Sequence, residues 1–381
     1  MDFELTEEQK MLQSTLREFA ASEIEPVASH IDKTGEFPAA EIRKMAGLGL
    51  FGLTIPEKYG GSGRSKLDLC IAVEELAHAS AAIENYLRVS LSLAIIPVME
   101  YGTEEQKQKY LPPHARGEKM ACFALTEAGA GSDPSSIQTT AARRKDGYII
   151  NGSKLFISIG DRAEIVVVFA TVDKTLGHHG ITAFVVEKDT PGLSVGKHED
   201  KMGLHGLNST ELIFQDCFIP AENRLGSEGQ GLKIALDALD VSRITVGAEA
   251  VGISRAAFET ALKYAKERRQ FGQPIAEFQA IQWMLADMAT QIDAARLLTC
   301  RAARLCDLGL PFIKEAAMAK VFASEVAGFV TNKALQIHGG YGYSRDYPLE
   351  RYLRDAKITE IYEGTSEIMR LTIARSLLRD S

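Results

Sequence analysis

The sequence predicts a multidomain protein of mixed α and β structure, helical at both ends and β in the middle. Three observations predict it. Apolar residues recur at helical spacing through residues 1–115. From near residue 120 the chain changes to β-branched and aromatic runs split by turn residues. Beyond residue 230 the helical period returns in long stretches. A chain of 381 residues exceeds one simple core. The expected division is an N-terminal helical domain at 1–118, a small middle β-barrel or sheet domain at 119–228 and a C-terminal four-helix bundle at 229–381.

Each element has its own signal. Thr6 and Gln9 suit a capping box, with Met11, Thr15, Leu16 and Phe19 following on one face. A second helix fits 39–48. EKYGGSG at 57–63 is a Gly-rich break, and its spacing is not that of a P-loop. Helices fit 67–79, 85–101 and 104–111. Tyr148, Ile149 and Ile150 lead into Asn151-Gly152, a hairpin signal. AEIVVVFATV at 163–172, GITAFVVEK at 180–188 and TELIFQDCFIP at 210–220 read as strands. In the last third, Val251, Phe258, Leu262 and Ala265 share a stripe. So do Phe278, Ile281, Leu285, Met288 and Ile292, and then Ala317, Val321, Ser324 and Phe329. The segment after residue 363 supplies a fourth helix, which makes a bundle.

Composition excludes several classes. Hydrophobic content of 45% and charged content of 25% place the chain among soluble globular proteins. A net charge of −8 argues against nucleic acid as the main partner. No apolar run is expected to cross a membrane, and the acidic start MDFELTEEQK lacks the apolar centre of a signal peptide. The five Cys are odd in number and form no CxxC, so reduced thiols and a cytoplasmic setting are expected. The eight His lack ligand spacing, and no metal site is expected.

The chemistry gathers in a few stretches. RYLRDAKITEIYEGTSEIM at 351–369 is two helical runs around a break holding Tyr362, Glu363 and Gly364. Gly leaves room for a ligand, Thr365 and Ser366 are good N-caps, and a carboxylate held at such a break can serve as a general base. On residues alone, Glu363 reads as readily as a solvated side chain in a turn. FALTEAGAGSD at 123–133 offers small residues and exposed amides that suit phosphate, or simply a flexible loop. FISIG at 156–160 carries an aromatic and a hydroxyl, or a strand whose Phe fills core. Asp240 and Arg243 of DVSR stand at i, i+3, the spacing of an ordinary helix-stabilising pair.

These stretches, with ERRQFG at 267–272 and QIHGGYGY at 336–343, occur in the order of, and resemble, the acyl-CoA dehydrogenases. Those flavoenzymes oxidise acyl-CoA thioesters, and the likeness is greatest to the short-chain, butyryl branch. It covers nearly the whole chain and includes the Tyr59-Gly60-Gly61 turn. The resemblance implies the family fold, with Glu363 as catalytic base. It implies FAD lined by Phe123, Ala124, Leu125, Thr126, Gly131 and Ser132, and by Phe156, Ile157 and Ser158. Phe156 and Ser158 stand where the family usually has Trp and Thr. Further FAD contacts are implied for Thr365, Ser366 and Glu367, and from a neighbouring subunit for Arg268, Gln279, Gln336, Ile337, Gly339 and Gly340. Ser132, Asp240, Arg243 and Gly364 would face the CoA thioester. Some relatives carry the base just before the Arg of DVSR. Here that place is Ser242, which supports Glu363.

The implied reaction is α,β-dehydrogenation to the 2-enoyl-CoA in fatty acid or organic acid metabolism. Electrons would pass to an electron-transferring flavoprotein, and the enzyme would be a homotetramer. Within the fold, a decarboxylating glutaryl-CoA-type dehydrogenase, an acyl-CoA oxidase and a desulfinase are the alternatives. A non-catalytic helical binding protein is the alternative from another class. Arg88 is out of pattern in the apolar run NYLRVSLSLAII. Relatives acting on dicarboxylic acyl-CoAs use an Arg on this helix, about one turn earlier. Three readings stay open for Arg88: an anchor for a substrate carboxylate, a buried pair with Glu249, or a solvated side chain. At the Glu249 position the butyryl branch tends to have Gln.

Overall fold

The computed structural model describes residues 4–379. Six helices open the chain: α1 (Glu7–Phe19), α2 (Glu25–Thr34), α3 (Ala39–Gly47), α4 (Lys66–Val89), α5 (Ile96–Tyr101) and α6 (Glu104–Ala115). Reciprocal capping boxes start three of them: Thr6 with Gln9, Ser65 with Asp68, and Thr103 with Gln106. The expected α1 face needs one correction. Leu16 is buried, but Met11 points to solvent, and the neighbouring Leu12 packs inward in its place.

α4 spans the expected gap between two helices. The break is a kink at Ser80, whose φ of −160° and ψ of 110° leave the helical region, within an otherwise continuous rod. A π-helical turn at Ser90–Ala94 joins it to α5. The rod Lys66–Tyr101 is long and apolar enough to cross a membrane, contrary to expectation from the sequence. However, 94% of its most apolar window is buried inside this protein, so it is a core helix. The Tyr59-Gly60-Gly61 turn packs tightly against the chain: a Cβ on Gly61 would lie 2.0 Å from the carbonyl oxygen of Ile55.

The middle region holds eight strands: β1 (Ala121–Ala124), β2 (Thr140–Arg144), β3 (Gly147–Ser158), β4 (Ile165–Thr171), β5 (Ile181–Glu187), β6 (Leu193–His198), β7 (Ser209–Pro220) and β8 (Arg224–Leu225). They form one sheet in the order β6-β7-β3-β2-β4-β5-β8, with β1 parallel to β4. β4 is buried on both faces. Ile165, Val167 and Phe169 join the helical core, and Val166, Val168 and Ala170 join the core inside the sheet. The hairpin expected at Asn151-Gly152 is not there. β2 and β3 turn at Lys145-Asp146, and β3 runs on through Asn151, which bonds Asp216 on β7 across a register shift. The Asn-Gly pair therefore marks a β-bulge.

The C-terminal region holds α7 (Gly231–Glu267), a two-residue hairpin of β9 (Arg269–Gln270) and β10 (Gln273–Pro274), α8 (Gln279–Asp307) and α9 (Ile313–His338). The short helices α10 (Gly340–Tyr343), α11 (Leu349–Thr359) and α12 (Ser366–Arg379) follow. α7, α8 and α9 are three sides of the bundle, and α11 and α12 share the fourth against α9. α4 packs along α7. Arg255 of α7 and Arg296 of α8 hold Glu74 at 2.8 Å each, which ties α4 to the bundle. All five Cys are free thiols.

Candidate active site

α11 and α12 are joined by a tight turn over 360–365. Glu363 sits in it with φ +55°, the left-handed region that costs a non-Gly residue energy. Gly364 follows at φ +103°, where a Cβ would lie 2.6 Å from Met369 Cε. Two cations hold the turn. Arg243 Nε donates to the Glu363 carbonyl at 3.1 Å, and Lys320 Nζ donates to the Gly364 carbonyl at 2.7 Å. Lys320 is buried on the Ala-rich face of α9, and that burial lowers its pKa to about 8 against the opposing pull of Glu363. Arg243 also binds Asp240 at 2.5 Å. Burial raises the pKa of that carboxyl, and Arg243 opposes the rise.

The Glu363 side chain is 6% exposed. Arg88 Nη1 donates to its Oε1 at 2.6 Å. The other oxygen, Oε2, is buried and has no hydrogen-bond partner among the described residues. Arg88 is itself fully buried. Its Nη2 donates to Asn85 Oδ1 at 2.6 Å, and its Nε lies 3.1 Å from Glu249 Oε2. Asn85 Nδ2 donates to Glu249 Oε1 at 2.7 Å, and the Tyr362 hydroxyl donates to Glu249. The Tyr362 ring lies 4.8 Å from the guanidinium carbon. Burial first, and the nearby Glu249 second, push Glu84 well above the usual carboxylate range. Burial raises Glu249 as well, against the pull of Arg88. The solvated reading of Arg88 is overturned, and the pair with Glu249 is present. The contact with Glu363 was not expected.

β1 and its loop carry the first of the expected FAD-lining residues. Phe123 packs against the cluster of Leu93, Ile96, Ala238 and Val241 and meets Phe169 at 4.8 Å. Ala124 and Leu125 turn their side chains into core, and Thr126 accepts from Leu155 N–H at 2.8 Å through its carbonyl. A buried pair supports this loop from below: Lys154 Nζ donates to Glu127 Oε1 at 2.7 Å and to the Leu125 carbonyl at 3.1 Å. Gly131 and Ser132 are exposed. The register shift between Lys154 and Ile157 ejects Phe156, which has φ +58° and is 61% exposed. Ile157 is buried like Ala124 and Leu125. Its side chain fills the sheet core, so only its backbone is free for a ligand. Ser158 is half-buried at the end of β3.

The remaining residues form a second locus. Arg268, Ile337, Gly339 and Gly340 line a cavity of about 530 Å³ with Tyr264 and Tyr341. The Arg268 guanidinium lies 5.6 Å from the Tyr341 ring. Gln279 and Gln336 are exposed beside α8 and α9. Nothing from the 363 turn or from the sheet lines this cavity. Thr365 accepts from Ile368 N–H at 3.4 Å and caps α12, Ser366 Oγ is buried without a partner among the described residues, and Glu367 is exposed.

Family models for acyl-CoA dehydrogenases match the chain three times: the N-terminal domain over 6–118, the middle domain over 122–217 and the C-terminal domain over 229–378. The chain belongs to the acyl-CoA dehydrogenase family. It is 53% identical to an acryloyl-CoA reductase (NADH) of Anaerotignum propionicum, over 100% of this chain and 96% of the relative. It superposes on butyryl-CoA dehydrogenase from Megasphaera elsdenii with a TM-score of 0.98 and 47% identity, covering both chains fully. A chain solved in work on the electron transferring flavoprotein of Acidaminococcus fermentans gives the same TM-score at 51% identity, again over both full lengths. This family member is an FAD-dependent oxidoreductase. The residues fit such a cofactor: an aromatic held out from a strand at positive φ, a glycine-lined cavity beside an Arg, and the unpartnered Ser366 hydroxyl.

Sequence reasoning missed Asn85, Glu84, Lys320, Lys154 and Glu127. A Lys amid the alanines of α9 and the polar Glu84, Asn85 and Arg88 within the apolar run of α4 were the available signals.

Proposed function

We propose that this family member catalyses α,β-dehydrogenation of a short, neutral acyl-CoA thioester, with Glu363 as base. The observation that carries the reading is the buried Glu363 carboxylate with Oε1 anchored and Oε2 unpartnered. Oε2 is the atom that takes the proton from Cα. Arg243 and Lys320 hold the backbone that aims it. The Glu363 N–H would meet the thioester carbonyl, where an amide stabilises enolate charge. Phe123–Thr126, Phe156–Ser158 and the backbone of Gly131-Ser132 would hold the flavin. When bound it would supply the acceptor for the Cβ hydride, and the donor in the reverse direction.

The second locus, around Arg268, completes the flavin site of another copy of the chain. Exposed apolar side chains on and near α8, among them Phe271 at 93% and Trp283 at 65%, fit burial between subunits of a homotetramer. An electron-transferring flavoprotein is the electron acceptor, and the cytoplasm is the compartment. The test is anaerobic flavin bleaching with a panel of acyl-CoAs. Bleaching by butyryl-CoA that is lost in Glu363→Gln supports the reading. Bleaching by none of them overturns it.

A second reading has its own support. The relative at 53% identity is named an acryloyl-CoA reductase. By microscopic reversibility a protonated Glu363 returns a proton to Cα of a 2-enoyl-CoA. Reoxidation of the photoreduced protein by acryloyl-CoA, faster than its reduction by propionyl-CoA, favours this direction.

A further inference from the structure

We propose that Lys154 and Glu127 are positioning residues for the flavin, locking the two stretches that line it into one frame. This rests on the reading that Phe123–Thr126 and Phe156–Ser158 hold the flavin. The two stretches come from different strands, one at the end of β1 and the other at the end of β3. The ladder of β1 with β4 ends at Ala124. The next two carbonyls turn to β3 instead. Leu125 accepts from Lys154 Nζ at 3.1 Å, and Thr126 accepts from Leu155 N–H at 2.8 Å. Those two donors directly precede Phe156. The bulge in the β3–β7 pairing falls between Lys154 and Ile157, so the grip on β1 and the outward turn of Phe156 share one irregularity.

Glu127 completes the lock. Its Oε1 accepts from Lys154 Nζ at 2.7 Å and from Thr139 N–H at 3.0 Å. Its Oε2 accepts from Gln138 N–H at 2.6 Å. One carboxylate thus ties the start of the 128–137 loop to its end, and Lys154 ties that neck to β3. Gly131 and Ser132 ride on the loop between. Lys154 is fully buried and Glu127 is 8% exposed. A pair so placed is a poor source of stability, because desolvation of two charges offsets their attraction. What it fixes is geometry. The ammonium has three donors, and it reaches a carbonyl and a carboxylate of the same loop at once. An apolar side chain at 154 would fill the space but leave the Leu125 carbonyl without this donor.

The test uses the full-length holoprotein. Lys154→Met/Glu127→Gln leaves no lone buried charge of the pair, and the new amide oxygen can still accept from the 138–139 amides. FAD release from this variant, followed by flavin fluorescence well below the melting temperature, should be at least tenfold faster than from the parent. The flavin potential should shift by about 30 mV, which is tenfold in the balance of oxidised and reduced flavin for a two-electron couple. A pair that only stabilises the sheet would lower the melting temperature and leave release and potential unchanged. That result overturns the proposal. Glu127→Asp keeps both charges and withdraws the carboxylate by one methylene, so it decides the matter if the double variant does not fold. It should also speed release and shift the potential, and no change in either overturns the proposal. Gly131→Val tests the reading beneath. A Cβ there would stand in open space among the described residues, so the fold tolerates it, whereas a ligand against the loop does not. Faster FAD release from Gly131→Val beside unchanged release and potential in the pair variants sinks the positioning role alone. Unchanged release in all of them sinks the reading of the loop as well.

Discussion

Arg88 and Glu363 lie 275 positions apart and meet at 2.6 Å in a site that buries both side chains. Arg88 thereby serves two carboxylates, Glu363 and Glu249, from one buried plane. Arg88→Met strands both, and stripping one partner from a buried pair costs about 3–5 kcal/mol. The double variant with Glu249→Gln should recover part of that loss, since one stranded charge is gone. Thermal unfolding of the two singles and the double closes this cycle. Arg88→Lys keeps the charge but lacks the planar fork that reaches Glu363, Asn85 and Glu249 from separate nitrogens, so it should fall between parent and Met variant. Additive losses would mean that Arg88 and Glu249 do not act as a unit.

Glu363→Gln is nearly isosteric, so the fold and the flavin should survive. Flavin reduction by butyryl-CoA should drop by about 10²–10⁴, the range of a lost general base. Stopped-flow bleaching of the flavin absorbance checks this. Bleaching at the parental rate would place the base elsewhere.

Ser158 keeps a hydroxyl, half-buried, at the end of β3. Ser158→Ala should slow flavin reduction or shift the flavin potential by the equivalent of about 1 kcal/mol, one hydrogen bond's worth. A redox titration beside the stopped-flow trace decides it. If neither rate nor potential moves, Ser158 does not face the flavin.

The helix–sheet–helix order was legible because periodicity is local: the strands at 165–171, 181–187 and 209–220 and the three long helices of the bundle all announce themselves in their own residues. The Asn151-Gly152 signal misled because a bulge uses the same permissive residues as a turn, and only the pairing of β3 with β7 separates them. β6 escaped notice because LSVGKH is an edge strand, exposed for most of its length. At the site, Glu363 could be found because its neighbours Gly364 and Thr365 mark a helix break. Its partners could not. Arg88, Lys320 and Arg243 come from three helices, and no spacing in the chain records that they converge on one turn.

Lys320 gives the pH prediction. Its ammonium is buried against the Gly364 carbonyl, so folding lowers its pKa from 10.5 to about 8. Between those values the unfolded chain still holds a proton that the folded protein has released. Stability from this group therefore rises as pH climbs from about 8 to 10.5, and below that window the burial penalty on the charge applies in full. In Lys320→Met this contribution to the slope should vanish, while that of Lys154, whose pKa burial also lowers to about 8, remains. The variant should also lose about 1–3 kcal/mol, because the Gly364 carbonyl is left without its donor. Melting temperatures of parent and variant at matched ionic strength across pH 7.5–10.5 test the sign, with about 7.5 chosen to sit below the titration. A constant difference between the two curves would mean that Lys320 titrates normally. Because the same amine holds the turn that aims Glu363, flavin reduction in the variant should slow at every pH, with a larger change in kcat than in KM.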